Sequence, residues 1–325
     1  MIIVTGGSGF IGSGIVWKLN KLGRNDIIIV DHFGENEKYK NLVTLNFQDV
    51  FDKDIFGNMV ANGFLKNYKV DIIYHLGACS STTQLDVKFL LENNFEYSKF
   101  LCQNALENNV RFIYASSAAT YGDGSNGYSD DETNLDKLRP LNPYGYSKHL
   151  FDLWVRNNNL LDKVAGMKYF NVYGPNEYHK NDMKSVVNKC FHQIKETGKA
   201  RLFKSSSKEF NDGEQKRDFI YVKDAIDMTL FFGENKNVNG IYNIGTGQAN
   251  SFNSFVKPIF KALNVKENIE YFDMPEVLKN KYQNFTLANI EKIQKAGYKN
   301  MLTGISEAVT DYISNYLNTE NPYLK

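Results

Sequence analysis

Ile2-Ile3-Val4-Thr5-Gly6-Gly7-Ser8-Gly9-Phe10-Ile11-Gly12 is the stretch on which the fold turns. Its first four residues are apolar or β-branched and too few for a helix, so they read as a short strand buried on both faces. Glycines at 6, 9 and 12 follow, and apolar residues then recur at helical spacing from Ile11 to Leu22 until Gly23 ends the pattern. Gly6 permits a tight turn, Gly9 lets the backbone approach an anion, and Gly12 lets the helix lie close on the sheet. The free N–H groups of the helix start then face a pyrophosphate. A second strand, Asp26 to Val30, delivers Asp31 nineteen residues beyond Gly12. A carboxylate there accepts the hydroxyls of an adenosine ribose. Asp31 would repel a 2′-phosphate, but His32, Lys38 and Lys53 are within reach to neutralise one, so NADP is the expected cofactor and NAD the alternative.

Working outward, two further strands carry polar residues at their C-terminal ends, where an open α/β sheet places its ligands. Val70 to His75 leads into Leu76-Gly77-Ala78-Cys79-Ser80-Ser81-Thr82-Thr83, and Val110 to Ala115 leads into Ser116-Ser117-Ala118-Ala119-Thr120-Tyr121-Gly122. Both loops are expected to face the dinucleotide, Cys79 as a small lining residue rather than a nucleophile. A helix from about Asp86 to Glu107 brings Asn93 and Asn94, suited to the cofactor or to backbone groups.

Tyr144 and Lys148 are four residues apart in a segment of helical spacing, so their side chains share one face. Alone, such a pair is usually an ordinary surface feature. Beside a dinucleotide it becomes an acid/base device, because bringing a phenol from pH ~10 to near neutrality takes about 4 kcal/mol, which a neighbouring ammonium and a cationic cofactor ring could supply.

Beyond it, a strand from Ala165 to Phe170 delivers Asn171-Val172-Tyr173-Gly174-Pro175-Asn176-Glu177-Tyr178-His179-Lys180, then a helix runs over about 185–197. The polar loop 205–216 is flanked by Lys204 and Arg217, two cations expected at the rim of a cleft for a diphosphate. The remainder, 251–325, is expected to be mostly amphipathic helix. No linker separates the parts. The dinucleotide-binding domain is placed at 1–172, completed by about 217–246, and the substrate-binding domain at 173–216 and 247–325.

Composition narrows the partners. The chain of 325 residues is 42% hydrophobic and carries 38 Lys and Arg against 37 Asp and Glu, a net charge of +1 that offers no general attraction to nucleic acid or anionic membrane. The three cysteines, Cys79, Cys102 and Cys190, suit a reducing compartment. The five scattered histidines form no metal-ligand pattern, so no metal is expected. There is no leader-like start and no apolar run of about 18 residues, so a soluble cytoplasmic protein is expected.

Taken together, residues 5–12, Ser117, Tyr144-x-x-x-Lys148 and Arg217-Asp218-Phe219 resemble the extended short-chain dehydrogenases/reductases that act on nucleotide sugars. Residues 77–83, 115–122, 169–177, His179-Lys180 and Tyr282-Gln283 are similar to the ADP-L-glycero-D-manno-heptose 6-epimerases, along nearly the whole chain. The resemblance implies a Rossmann-type doubly wound parallel sheet with a smaller, mostly helical substrate-binding domain. It implies an isomerase that interconverts the C-6″ epimers of an ADP-heptose for the lipopolysaccharide inner core, using tightly held NADP. It implies a homo-oligomer, with a homopentamer as the candidate size.

By that resemblance Tyr144 and Lys180 take the acid/base positions, Ser117 bonds the reacting oxygen and Lys148 contacts the nicotinamide ribose. Gly6, Gly9, Phe10, Ile11, Gly12, Asp31, His32, Lys38, Lys53, Leu76, Gly77, Ala78, Cys79, Ser80, Asn93, Lys148, Val172 and Lys180 fall on cofactor positions. Asn171, Asp182, Lys189, Phe203, Lys204, Ser205, Ser206, Arg217 and Tyr282 fall on substrate positions. Asp182 stands where the family has a small polar residue, and Lys189 where it has His. A related 4,6-dehydratase would carry an Asp-Glu pair where this chain has Ala118 and Ala119; a non-catalytic NADP-binding regulator would not need the whole polar set.

Overall fold

The computed structural model describes residues 1–276 and 283–325. Seven parallel strands form its central sheet: β1 (Ile2–Thr5), β2 (Ile27–Asp31), β3 (Asp49–Asp52), β4 (Ile72–His75), β5 (Arg111–Ser117), β6 (Val164–Tyr169) and β10 (Gly240–Ile244). Their order is β3-β2-β1-β4-β5-β6-β10. The chain winds outward from β1 in one direction, then returns to lay β4 on its other side, so the switch point lies between β1 and β4. Loops leaving those two strands diverge there and leave a crevice.

Both faces of the sheet are covered, which explains why its strands are apolar without alternation. Ile2 and Val4 enter one core with Ile15, Val16 and Leu19 of the Phe10–Lys21 helix and Ile226 of the Val222–Glu234 helix. Ile3, between them, enters the other with Phe56, Leu101 and Phe151, from helices Lys53–Ala61, Tyr97–Glu107 and Pro143–Asn157. Each fully buried side chain of this kind contributes roughly 1.5–3 kcal/mol.

Two small sheets stand apart. β7 (Asn171–Tyr173), β9 (Lys216–Tyr221) and β11 (Ala249–Ser251) form one in the order β11-β9-β7, and β8 (Ala200–Phe203) pairs in parallel with β12 (Ile269–Phe272). The return to the central sheet is made by the Val222–Glu234 helix and β10, while Arg217 itself sits on the small sheet.

The expected helix over about 86–107 runs unbroken from Val87 to Glu107, with Leu91–Glu96 a wide π turn between α-helical Val87–Leu90 and Tyr97–Glu107. The turn lets Asn94 hydrogen-bond sideways, and periodicity does not reveal it. Among the described residues the C-terminal part is less helical than expected, with helices at Phe252–Leu263, Glu291–Lys295 and Ile305–Tyr312, the last continued by a π turn at Ile313–Leu317, and with the added strand β12.

Candidate active site

A cavity of about 1100 Å³ opens at the C-terminal ends of β1, β4 and β5. Its floor is the glycine turn. Gly6 adopts φ +66°, and a Cβ there would stand 2.7 Å from the Gly77 nitrogen, so the loops after β1 and β4 touch at this point. A Cβ on Gly12 would lie 2.1 Å from the Gly6 carbonyl oxygen. Gly9 caps the Phe10–Lys21 helix with no side-chain bond, leaving the first N–H groups for an incoming anion. The residues present therefore fit a dinucleotide pyrophosphate.

Asp31 lies at the end of β2, 7% exposed, with both oxygens engaged. Oδ2 accepts from the Ser8 N–H (2.9 Å) and hydroxyl (2.5 Å), and Oδ1 accepts from the His32 N–H (2.8 Å) and the Lys38 ammonium (2.6 Å). The Lys38 ammonium offsets the carboxylate beside the expected ribose position. The His32 ring points to solvent, 3.6 Å from Asp52, and Lys53 lies 3.2 Å from Asp54; neither lines the cavity.

Leu76, Gly77, Ala78, Cys79 and Ser80 form one wall. Buried Asn94 fixes it: its side-chain oxygen accepts from the Cys79 N–H (2.8 Å), and its amide donates to the Cys79 carbonyl (3.0 Å) and the Ser147 hydroxyl (3.0 Å). Asn93 donates to Asn94 (3.0 Å) and does not reach the cavity. Neither asparagine lines the cavity, and Asn94 organises its wall.

Asn142 caps the Pro143–Asn157 helix by accepting from the Gly145 N–H (2.8 Å), and a Cβ on Gly145 would press within 2.7 Å of the Ala119 carbonyl. That close approach carries Tyr144 to the loop after β5, where it borders the cavity with Ser117. The Lys148 ammonium donates to the Ala115 carbonyl (2.9 Å). Burial pushes the Tyr144 phenol above its ordinary value, with Ser117 pulling it down, and brings Lys148 down to about 8. In the protein alone desolvation outweighs Ser117; the lowering expected from Lys148 together with a cationic cofactor ring requires the bound dinucleotide.

Across the cavity, His179, Lys180 and Asp182 line a second wall. The Lys180 ammonium lies 5.1 Å from the centre of the Phe10 ring, and burial lowers its pKa while the Glu177 carboxylate raises it. Tyr144, Ser117, Lys148 and Lys180 thus border one space, as do Phe10, Ile11, Asn171, Val172 and Arg217. Arg217 is 6% exposed, its guanidinium 5.7 Å from the Phe252 ring centre.

Several substrate candidates lie elsewhere. Lys189 donates to the Asp182 carbonyl (2.6 Å), tying the two positions together, but only Asp182 lines the cavity. Phe203 packs on Phe272, Lys204 pairs with Asp273 (3.2 Å), Ser205 is bonded to Asp212 (2.8 Å) and Ser206 is exposed. None of these four lines the cavity, and Tyr282 lies outside the described residues. Sequence reasoning passed over Phe219, Phe252 and Phe255, which do line it. Phe219 stacks on Phe255 with centroids 3.9 Å apart. An aromatic pair three residues apart at a helix start was the available signal, and it reads as plain core.

With this geometry established, the family model described as "NAD dependent epimerase/dehydratase family" matches residues 2–245. The chain belongs to this family. It is 50% identical over 324 residues to the ADP-L-glycero-D-manno-heptose-6-epimerase of Nitratidesulfovibrio vulgaris (strain DP4), covering 100% of both chains. Among solved structures it is similar to Helicobacter pylori ADP-L-glycero-D-manno-heptose-6-epimerase, with TM-score 0.78, 26% identity and coverage of 97% of this chain and 95% of that one. It is also similar to UDP-glucuronic acid 4-epimerase from Bacillus cereus, solved with UDP-glucuronic acid and NAD, at TM-score 0.75 and 25% identity, covering 97% and 99%. The epimerase family member described by these likenesses is an enzyme of the isomerase class, and a nicotinamide dinucleotide is its cofactor.

Proposed function

We propose that this chain epimerises C-6″ of ADP-D-glycero-D-manno-heptose to the L-glycero form for the lipopolysaccharide inner core. The observation that carries the reading is the pairing of full-length 50% identity to a named 6-epimerase with Tyr144 and Lys180 on one cavity. The bound dinucleotide supplies acceptance of the C-6″ hydrogen with its electron pair and its return to the opposite face. The residues supply the protons. Lys180, its amine favoured by burial, accepts the proton of the C-6″ hydroxyl as that carbon becomes a ketone. Tyr144, held neutral, gives a proton to the oxygen when the alcohol re-forms, and the reverse reaction exchanges the two roles. Ser117 holds the reacting oxygen. Arg217 and Asn171 take the nucleotide-sugar side, the guanidinium suiting a diphosphate.

NADP is favoured over NAD because Lys38 sits on Asp31 and the exposed His32 ring stands at the same strand end, suited to a 2′-phosphate. Lys148 serves the nicotinamide ribose. The same reading makes the enzyme a homo-oligomer in the cytoplasm, in accord with three free cysteines, and divides the chain between dinucleotide (1–172 and 217–246) and substrate regions. Among the described residues no helix is long and apolar enough to cross a membrane. A 4,6-dehydratase would need carboxyl groups where Ala118 and Ala119 line the cavity.

The test is direct. Purified protein, with its own dinucleotide and none added, should interconvert the C-6″ epimers by NMR. Tyr144→Phe should slow turnover with cofactor retained, and the Tyr144→Phe/Lys180→Met double variant should abolish it. An unchanged substrate spectrum from loaded protein, or full activity in the double variant, would refute the reading.

A further inference from the structure

Residues 178–184 form a loop whose two ends meet at a single buried carboxylate. Glu177 is 0% exposed. One of its oxygens accepts from the Ser185 N–H (2.6 Å), the other from the Ser185 hydroxyl (2.6 Å) and the Tyr312 phenol (3.0 Å). Ser185 also caps the Val186–Thr197 helix through the Asn188 N–H (3.2 Å), so the carboxylate lies at the positive end of that helix. The acid thus joins the loop, a long helix and the C-terminal helix at one point. Lys180 lies within the loop it closes, and the Lys180 N–H donates to the Glu177 carbonyl (3.0 Å).

Next to Lys180, Asn181 adopts φ 45°, ψ −122°, a sparsely populated conformation for a residue other than glycine. Such a conformation persists only where its surroundings hold it. A relaxed loop would turn Asn181 into a common region and carry the neighbouring ammonium elsewhere. What opposes this is the closure at Glu177 and Ser185, together with the Lys189 bond to the Asp182 carbonyl (2.6 Å).

We propose that Glu177 is the positioning residue for Lys180, its carboxylate fixing both the pose of the ammonium in the cavity and the charge it faces. The inference rests on the assignment of Lys180 as an acid/base group. Around Lys180 the charged and titratable groups of the same segment are Glu177, His179, Asp182 and Lys184; His179 feels Asp31 at the end of β2 and Lys38 of the turn Glu37–Asn41, and Glu177 is met by Tyr312. Glu177 is the negative charge acting on Lys180, and it favours the ammonium. Its removal makes the ammonium a stronger acid.

The experiment compares the dinucleotide-loaded parent with Glu177→Gln, Glu177→Asp and Lys180→Met, by kcat and KM against pH and by backbone hydrogen exchange over 178–184. Glu177→Gln should lower kcat by about tenfold or more with KM changed little, and move the limb that vanishes in Lys180→Met to lower pH. Glu177→Asp keeps the charge but is one methylene too short to hold Ser185, so it should lower kcat with the limb in place; it also serves if the Gln variant fails to fold. Parent kcat and parent pH limb in a folded Glu177 variant would overturn the proposal. Should Lys180→Met keep full turnover, the acid/base reading fails instead, and hydrogen exchange decides the positioning alone. Faster exchange over 178–184 in Glu177→Gln upholds the clamp, and unchanged exchange sinks it.

Discussion

Lys168→Met tests how the catalytic wall is anchored. Lys168 on β6 is 1% exposed and Asp152, one turn beyond Lys148 on the Pro143–Asn157 helix, is 0% exposed. The ammonium donates to Asp152 (2.7 Å) and to the Thr120 hydroxyl (2.6 Å). Asp152 also accepts from the Ser116 hydroxyl (2.7 Å) and the Tyr114 phenol (3.0 Å), so the pair bolts the end of β5 to the helix carrying Tyr144. Methionine fills similar volume but leaves a buried carboxylate without its cation, a loss of about 3–5 kcal/mol. For comparison, two charge-assisted bonds at roughly 1.5–3 kcal/mol each give the same range. Asp152→Leu combined with Lys168→Met removes both charges and should regain about half the loss, the remainder reflecting hydroxyls left without an acceptor. Denaturant unfolding of the parent, both single variants and the double at pH 7 gives the coupling. A Lys168→Met cost below about 1 kcal/mol, or strict additivity in the double variant, would refute the reasoning.

Gly12→Ala should abolish dinucleotide binding with the chain still folded, because its Cβ would stand 2.1 Å from the Gly6 oxygen, a backbone atom; retained dinucleotide in a mass measurement would contradict this. Lys148→Met should stabilise the dinucleotide-free protein by roughly 2 kcal/mol below pH 8, after subtracting about 1 kcal/mol for the lost bond to Ala115. The sign follows from its folded pKa of about 8, below the unfolded value: between pH 8 and about 10.5 the unfolded chain holds the extra proton. The parent therefore gains stability as pH rises through that window, and the advantage of the variant should fade there. Arg217→Ala should raise KM by about tenfold or more, whereas Lys204→Ala, removing a surface pair with Asp273, should leave it within about threefold; equal effects would put both cations on the substrate.

Much of this was legible in the chain. The run from Ile2 to Gly12 determined the strand, turn and helix, because local sterics and apolar spacing act over neighbouring residues, and Asp31 followed from the same repeat. Tyr144 and Lys148 shared a face by helical geometry alone. What tertiary structure decided concerns residues far apart or environments set by burial. Lys204 and Arg217 look alike in sequence as cations flanking one loop, yet the small sheet turns Arg217 into the cavity and leaves Lys204 on the surface beside Asp273. Asn94 beside Asn93 took the structural role because a π turn altered the register, and propensity does not signal such a turn. The burial that raises the Tyr144 phenol in the protein alone is likewise a tertiary property, since desolvation depends on how many atoms surround it. Glu177 read as one residue of a motif; its closure of the Lys180 loop appeared only when folding brought Ser185 and Tyr312 to the same carboxylate.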